Sequence, residues 1–235
     1  MKNTALNNIL FLDIETVSLT KEFSSLPERL KSHWETKSMR LNPDEPFEEM
    51  YFERAAIYAE FGKVLCIGIG GFFEGNAKLK VKTLYHADEK ELLKAFKEVL
   101  EKHSAGKDLV LCAHNGKEFD FPYLCRRMLI NNISLPQILD ISGKKPWEIN
   151  HLDTLEMWKF GDYKNYTSLD LLASVFDIPG SKSLMNGSEV NTQYYFHDAL
   201  EKITGYCKED VVVLAQLFLK LTGRSILSEE NVLRT

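Results

Sequence analysis

Cysteine is scarce in this chain of 235 residues, and long apolar runs are missing. The four cysteines, Cys66, Cys112, Cys125 and Cys207, are widely spaced and form no Cys-x-x-Cys pair. Neither a zinc site nor a disulfide framework is therefore expected. We expect the thiols to be reduced and mostly packed in the protein interior. The apolar run before Asp13 is too short for a signal-peptide core, and none spans a bilayer. The sequence predicts a cytoplasmic protein with no membrane partner.

Positive charge is also in deficit. The chain has 29 Lys and Arg against 34 Asp and Glu, which gives a net charge of −5. Proteins that bind long stretches of nucleic acid normally carry a basic surface. Tight binding along many phosphates is thus disfavoured, whereas a grip on a few terminal nucleotides remains compatible with this charge.

Length and composition fit one domain. Apolar residues make up 44% of the chain and charged residues 27%, enough for a substantial core. We expect a single domain over 1–235, with an inserted segment at about 17–62. Prolines suggest a loop in this segment, followed by helical spacing from Phe47 to Tyr58. Trp34 and Arg40 are candidate substrate contacts there, although packing over a sheet edge is favoured for most of the segment.

Two carboxylates follow the first predicted strand. Ile9-Leu10-Phe11-Leu12 reads as buried, and Asp13 and Glu15 come directly after it. On a strand, residues two apart leave the same face, so these side chains can share one cation. A folded core gains nothing from two charges at the end of a buried strand, which favours a functional interpretation.

Two further acidic motifs follow in order along the chain. Asn115-Gly-Lys-Glu-Phe119-Asp120 comes after a short predicted strand, and Tyr206-Cys-Lys-Glu-Asp210 lies on a predicted helix. Tyr206 and Asp210 are i and i+4, so phenol and carboxylate share a helix face. Hydrolysis of a phosphodiester can use two divalent ions about 3.5–4 Å apart, and such ions prefer carboxylate oxygens. The sequence predicts a nuclease site holding two divalent ions, Mg²⁺ or Mn²⁺.

These motifs resemble motifs I, II and III of the DEDD 3′→5′ exonucleases, and Tyr206 matches the DEDDy branch. The stretch from His151 to Asp162, followed by Ser168-Leu-Asp-Leu-Leu, is similar to stand-alone bacterial proteins related to the proofreading domain of family B DNA polymerases. The resemblance implies the ribonuclease-H-like α/β fold, a central mixed sheet flanked by helices. It covers residues 9 to about 222.

The resemblance also implies roles for individual residues. Catalysis and metal binding fall to Asp13, Glu15, Asp120 and Asp210, with Tyr206 orienting the attacking water. Thr16 would approach the terminal 3′-hydroxyl, and Asn115 and Phe119 would position the last nucleotide, although Phe119 suits the core equally well. Lys182 and Ser188, in a loop rich in Ser and Gly at 179–190, are further candidate substrate contacts.

Alternation of elements supports this fold. Strands are predicted at 63–73, around Leu79 and Val81, and at 109–113. A helix opens at a capping box of Asp88 and Glu91, and a long helix carries the third motif despite Val211-Val212-Val213.

The predicted activity is 3′→5′ exonuclease action on the 3′ end of single-stranded nucleic acid, with DNA favoured. Two alternatives stay open at this point. One is a catalytically inactive nucleic-acid-binding module of the same fold, and the other is an exonuclease directed at RNA or short oligonucleotides. Protein partners and oligomeric state are not predicted.

Overall fold

One mixed sheet forms the centre of the protein. The computed structural model describes residues 5–106, 108–162, 164, 166–180 and 185–235. The six strands are β1 Ile9–Ser18, β2 Gly62–Phe73, β3 Lys78–Tyr85, β4 Val110–Ala113, β5 Leu152–Asp153 and β6 Val232–Arg234. They lie in the order β5-β4-β1-β2-β3-β6. β1, β2 and β3 form an antiparallel meander, while β4 pairs parallel with β1, β5 parallel with β4 and β6 parallel with β3.

Helices cover both faces of this sheet. They are α1 Glu28–Leu41, α2 Phe47–Arg54, α3 Glu89–Ser104, α4 Asp120–Ile130, α5 Thr154–Lys159, α6 Leu169–Val175, α7 Val190–His197 and α8 Leu200–Leu221. Leu10, Leu12 and Ile14 of β1 pack in one core with α3 and α4. Ile9 and Phe11, on the opposite face, pack in another with α8. The predicted α/β class with a mixed sheet between helices is confirmed. Among the described residues, no helix is long and apolar enough to cross a membrane.

Several predicted elements appear at their predicted places. The meander, the strand before the second motif and the long helix through Val211-Val212-Val213 are all present. Asp88 caps α3 by accepting a hydrogen bond from the Lys90 amide at 2.8 Å. Glu91, the expected partner in a capping box, instead forms an ion pair with Lys94.

The first strand is longer than predicted. β1 extends to Ser18 and pairs with β2 along its whole second half, so Asp13 and Glu15 lie in its middle. The expectation that they stand at a strand end is wrong. Residues after Glu15 continue the ladder because Thr16 and Val17 find partners in Val64 and Lys63 across a local irregularity.

The inserted segment is mostly helical and has a core of its own. α1 occupies part of the stretch expected to be a loop, and α2 confirms the helical spacing after Pro46. Trp34 is fully buried against Tyr51 and Phe61, and its indole N–H donates to the Phe47 carbonyl at 2.8 Å. The suggested substrate contact at Trp34 is therefore wrong, because the ring packs inside the segment's own core.

A buried ion pair ties this segment to the helices behind the sheet. Arg127 of α4 donates from Nε to Glu89 of α3 at 2.9 Å and from Nη1 to the Ala59 carbonyl at 2.8 Å. Glu89 also accepts from the Val64 amide at 2.7 Å and from Asn131 at 3.0 Å. One network thus holds α3, α4, β2 and the end of the inserted segment together.

Arg127→Met should lower the free energy of unfolding by about 3 kcal/mol, because it leaves the Glu89 carboxylate buried without its cation. Urea unfolding followed by circular dichroism measures the loss. Arg126→Met, at the exposed neighbouring position, is the matched control and should change stability by less than about 0.5 kcal/mol. Equal effects of the two substitutions would remove the network from this structural role.

Candidate active site

The side chains of Asp13 and Glu15 project from the face of β1 that packs against α8. Strand alternation puts Asp13 and Glu15 on the side of Phe11 and Val17, and Val17 packs with Cys207 of α8. Glu15 is 8% exposed, whereas Asp13 is only partly buried. The two carboxylates of β1 therefore lie on the sheet face that is covered by α8, the helix that carries the third motif.

Asp120 reaches the same region from the other side of β1. It is the first residue of α4, which starts directly after the turn that follows β4. Burial raises its pKa to about 7, helped by the charge of Asp153, while hydrogen bonds from the amides of Asp120 and Ile14 act to lower it. The bond from Ile14 anchors this carboxylate beside the β1 backbone between Asp13 and Glu15.

Tyr206 and Asp210 lie one turn apart on the buried side of α8, as predicted. The Tyr206 hydroxyl donates a hydrogen bond to the Asp210 carboxylate. Burial raises the pKa of this phenol well above its usual value, and the negative charges of Asp210, Glu15 and Asp13 raise it further. The phenol stays protonated at neutral pH, so it can donate a hydrogen bond but not take up a proton as a base.

Asp13 lies at the centre of the acidic group. Burial raises its pKa well above the usual value, and the charges of Asp210 and Asp120 raise it further. The pKa of Glu15 is raised for the same reasons, first by burial and then by Asp13. Oδ2 of Asp13 is buried and has no hydrogen-bond partner among the described residues. A buried acceptor without a donor, surrounded by other carboxylates, suits a divalent cation.

The tightest group of potential ligands contains a thiol. One ligand atom each from Asp13, Glu15 and Cys207 lie within 4.8 Å of one another, and Asp120 and Asp210 fall outside that group. Two ions about 3.5–4 Å apart need ligands spread over a wider pocket than one ion does. Asp120 and Asp210 lie near enough to Asp13 for their charges to raise its pKa.

Asp153 holds the turn that carries the second motif. Its carboxylate caps α5 through the Leu155 amide at 2.9 Å and accepts from the amides of Asn115 at 2.9 Å and Lys117 at 3.1 Å. His114 is tied between Thr154 Oγ1 and the Thr167 carbonyl, both at 2.9 Å. Asp153 and His114 are therefore parts of the scaffold.

The predicted substrate contacts lie around this pocket to different degrees. Thr16 donates to the phenol oxygen of Tyr123, and Tyr123 donates to the Ala56 carbonyl at 2.8 Å. Asn115 takes a left-handed backbone conformation with φ of 64°. The Phe119 ring is partly buried and lies 5.4 Å from the Tyr123 ring, in the core that α3 and α4 share.

The structure describes only one of the two candidate substrate contacts in the loop at 179–190. Ser188 is exposed in a short 3₁₀ helix, Gly187–Glu189, and a Cβ at Gly187 would lie 3.9 Å from the Tyr206 hydroxyl. The residue before Ser188 therefore lies near the Tyr206 hydroxyl. Lys182 lies outside the described residues.

Two residues that sequence reasoning passed over belong to the same region. Tyr166 is 65% exposed, and its ring meets His114 edge to face at 6.4 Å between centroids. Burial of its hydroxyl raises the pKa of Tyr166, and the charges of Asp120, Asp153 and Asp13 add to the effect, which puts the phenol at the rim of the acidic pocket. Cys207 is the second residue. Its adjacency to Tyr206 in the third motif was the available signal.

Residues 57–231 match a family model described as a predicted 3′-5′ exonuclease related to the exonuclease domain of PolB. The match covers most of the chain and includes Asp120, Tyr206 and Asp210, while Asp13 and Glu15 precede it. The chain belongs to this family of predicted 3′-5′ exonucleases.

A solved structure supports the same assignment at the level of the fold. The family B DNA polymerase from the hyperthermophilic archaeon Pyrobaculum calidifontis superposes with a TM-score of 0.56 and 16% sequence identity. The similarity covers 91% of this chain but only 24% of the polymerase chain. The expected ribonuclease-H-like exonuclease fold is confirmed. No curated protein matches the sequence.

Proposed function

We propose that the protein is a metal-dependent 3′→5′ exonuclease of the DEDDy type that shortens single-stranded nucleic acid, DNA in preference to RNA, from its 3′ end. The observation that carries this proposal is the buried Asp13 carboxylate oxygen that has no described hydrogen-bond partner, in a carboxylate that lies near Glu15 and interacts with the charges of Asp210 and Asp120. The similarity to a DNA polymerase favours DNA as the substrate.

The four carboxylates would form two ligand sets. Asp13 would be shared by two Mg²⁺ or Mn²⁺ ions, because its charge interacts with both Asp210 and Asp120. Glu15 and Asp210 would complete one set, and Asp120 the other. When bound, such ions stabilise charge on the phosphoryl oxygens and lower the pKa of the attacking water. Burial and, after it, mutual repulsion raise the pKa values of Asp13 and Glu15, and bound cations would offset both effects.

Tyr206 would position the attacking water. Its hydroxyl lies between Asp210, to which it donates, and the segment at Gly187. A phenol that stays protonated can orient water by hydrogen bonding without accepting the proton itself. This role requires a hydroxyl held in one orientation, and the hydrogen bond to the Asp210 carboxylate holds it.

The terminal nucleotide would lie over the turn that follows β4. Thr16, Asn115 and Phe119 would contact it, and Ser188 and Lys182 are further proposed contacts. Tyr166 adds an exposed ring at the rim, and a base can stack on such a ring. An exonuclease that holds only a few nucleotides in this way does not need a basic surface.

Asp13→Asn should reduce degradation of a 5′-labelled single-stranded DNA oligonucleotide in Mg²⁺ or Mn²⁺ by at least about 10³-fold, because a ligand shared by both ions is lost. The wild-type protein should give a ladder of products shortened from the 3′ end. Asp44→Asn, at an exposed carboxylate, is the matched control and should behave as wild type.

Other outcomes of this assay would replace the proposal. Metal-dependent retention of the oligonucleotide on a gel without shortening would identify a binding module. Faster shortening of the matched RNA would identify an exoribonuclease. Full activity of Asp13→Asn would remove Asp13 from the bridging position.

Tyr206→Phe should lower kcat on the order of 10²-fold, because the hydroxyl oxygen that would accept a hydrogen bond from the attacking water is lost while the ring still packs. Binding of Mn²⁺ and of the oligonucleotide should be largely preserved, as measured by fluorescence titration. Tyr85→Phe, which removes an exposed hydroxyl on β3, serves as the control. A wild-type kcat for Tyr206→Phe would show that another group positions the water.

Tyr166→Ala should raise KM for single-stranded DNA about 10-fold with little change in kcat, since stacking on one base contributes about 1–3 kcal/mol. Tyr166→Phe keeps the ring and should restore the wild-type KM. Steady-state kinetics on an oligonucleotide series gives both constants. If Tyr166→Ala leaves KM unchanged, the ring does not touch the substrate.

A further inference from the structure

A buried thiol shares the acidic pocket with the proposed metal ligands. Cys207 Sγ lies within 4.8 Å of carboxylate oxygens of both Asp13 and Glu15. It also donates to the Asp13 backbone carbonyl at 3.6 Å. A second thiol, that of Cys66, lies on β2 directly opposite Glu15 and contacts Cys207. The pocket is therefore not made of oxygen ligands alone.

The backbone fixes the position of this thiol. Gly68 pairs with Asp13 across the sheet, and a Cβ at Gly68 would lie 2.8 Å from the Cys207 carbonyl oxygen and 3.0 Å from Sγ. α8 can approach β2 this closely only because Gly68 has no side chain. Cys207 thereby lies against Gly68, with its thiol near the two carboxylates.

The chemistry of this ligand set differs from that of an all-carboxylate site. Mg²⁺ selects oxygen ligands, whereas Zn²⁺ binds thiolate at about 2.3 Å and carboxylate oxygen at about 2.0–2.2 Å. Small side-chain rotations would bring the three ligand atoms from their present spacing to these bond lengths. Asp13 Oδ2 is already buried without a described donor, so one ligand atom is free to bind.

We propose that Asp13, Glu15 and Cys207 form a site for a thiophilic divalent cation such as Zn²⁺, whose binding inhibits the nuclease. Binding forms a metal–sulfur bond and releases the thiol proton to solvent. The bound ion would occupy Asp13 and Glu15, which are the proposed ligands of the catalytic Mg²⁺ or Mn²⁺ ions. Inhibition rests on the proposed function, whereas binding of zinc by the thiol does not.

Cadmium reports the metal–sulfur bond directly. Titration of the reduced, metal-free full-length chain with Cd²⁺ should produce the ultraviolet charge-transfer absorption of a cadmium thiolate, saturating at one ion per chain. Cys207→Ser should abolish this absorption and weaken Zn²⁺ binding on the order of 100-fold. Cys125→Ser is the matched control, because that thiol donates to the Leu139 carbonyl elsewhere on α4, and it should leave both signals unchanged.

Asp13→Asn keeps the thiol and should still weaken Zn²⁺ binding at least about 10-fold. This variant tests the site even if Cys207→Ser folds poorly, which urea unfolding would reveal. An undiminished cadmium band in Cys207→Ser, or Zn²⁺ affinity unaffected by Asp13→Asn, would overturn the proposal. A cadmium band in a protein without nuclease activity would leave the thiol site standing and refute the proposed function instead.

Discussion

Close packing of α8 against β2 is the constraint on which the acidic pocket depends. A Cβ at Gly68 or Gly70 would lie 2.8 Å from atoms of α8, so these glycines set how near the helix lies. That approach places Asp210 within electrostatic reach of Asp13, although burial and mutual repulsion both disfavour charged carboxylates there. The pocket thus holds unfavourable free energy that bound cations would relieve, and the large cores on both sheet faces offset it.

The second acidic motif is placed by different means. Asp120 follows a turn with no regular structure, and Asp153 holds that turn by accepting amide hydrogen bonds from Asn115 and Lys117. Asn115 adopts a positive φ there, which an asparagine tolerates better than most residues do. One scaffold carboxylate therefore fixes the position of one site carboxylate, which explains why Asp153 resembles a functional residue in sequence although it acts through the backbone.

Strong periodic signals made most of the central fold predictable. The meander, the strand before Asn115 and α8 all bury continuous or alternating apolar residues. α1 was missed because only Trp34 and Ser38 are buried along it, so its apolar repeat is weak. The motifs identified the four carboxylates and Tyr206. Cys207 and Tyr166 could not be placed, since their closeness to Asp13 and Asp120 results from a glycine contact and a loop that propensities do not encode.

The carboxylates that interact in the acidic pocket come from both inside and outside the residues that match the family model. Residues 57–231 contain Asp120, Tyr206 and Asp210, whereas Asp13 and Glu15 come from β1, before the matched range. The structure nevertheless pairs β1 with β2 and β4 inside that range and brings Asp13 against Asp210 and Asp120. Acidic residues outside the match thus meet those within it at one pocket. Chance placement of unrelated surface acids would not bury them together, because burial of like charges is costly unless a cation is to bind them.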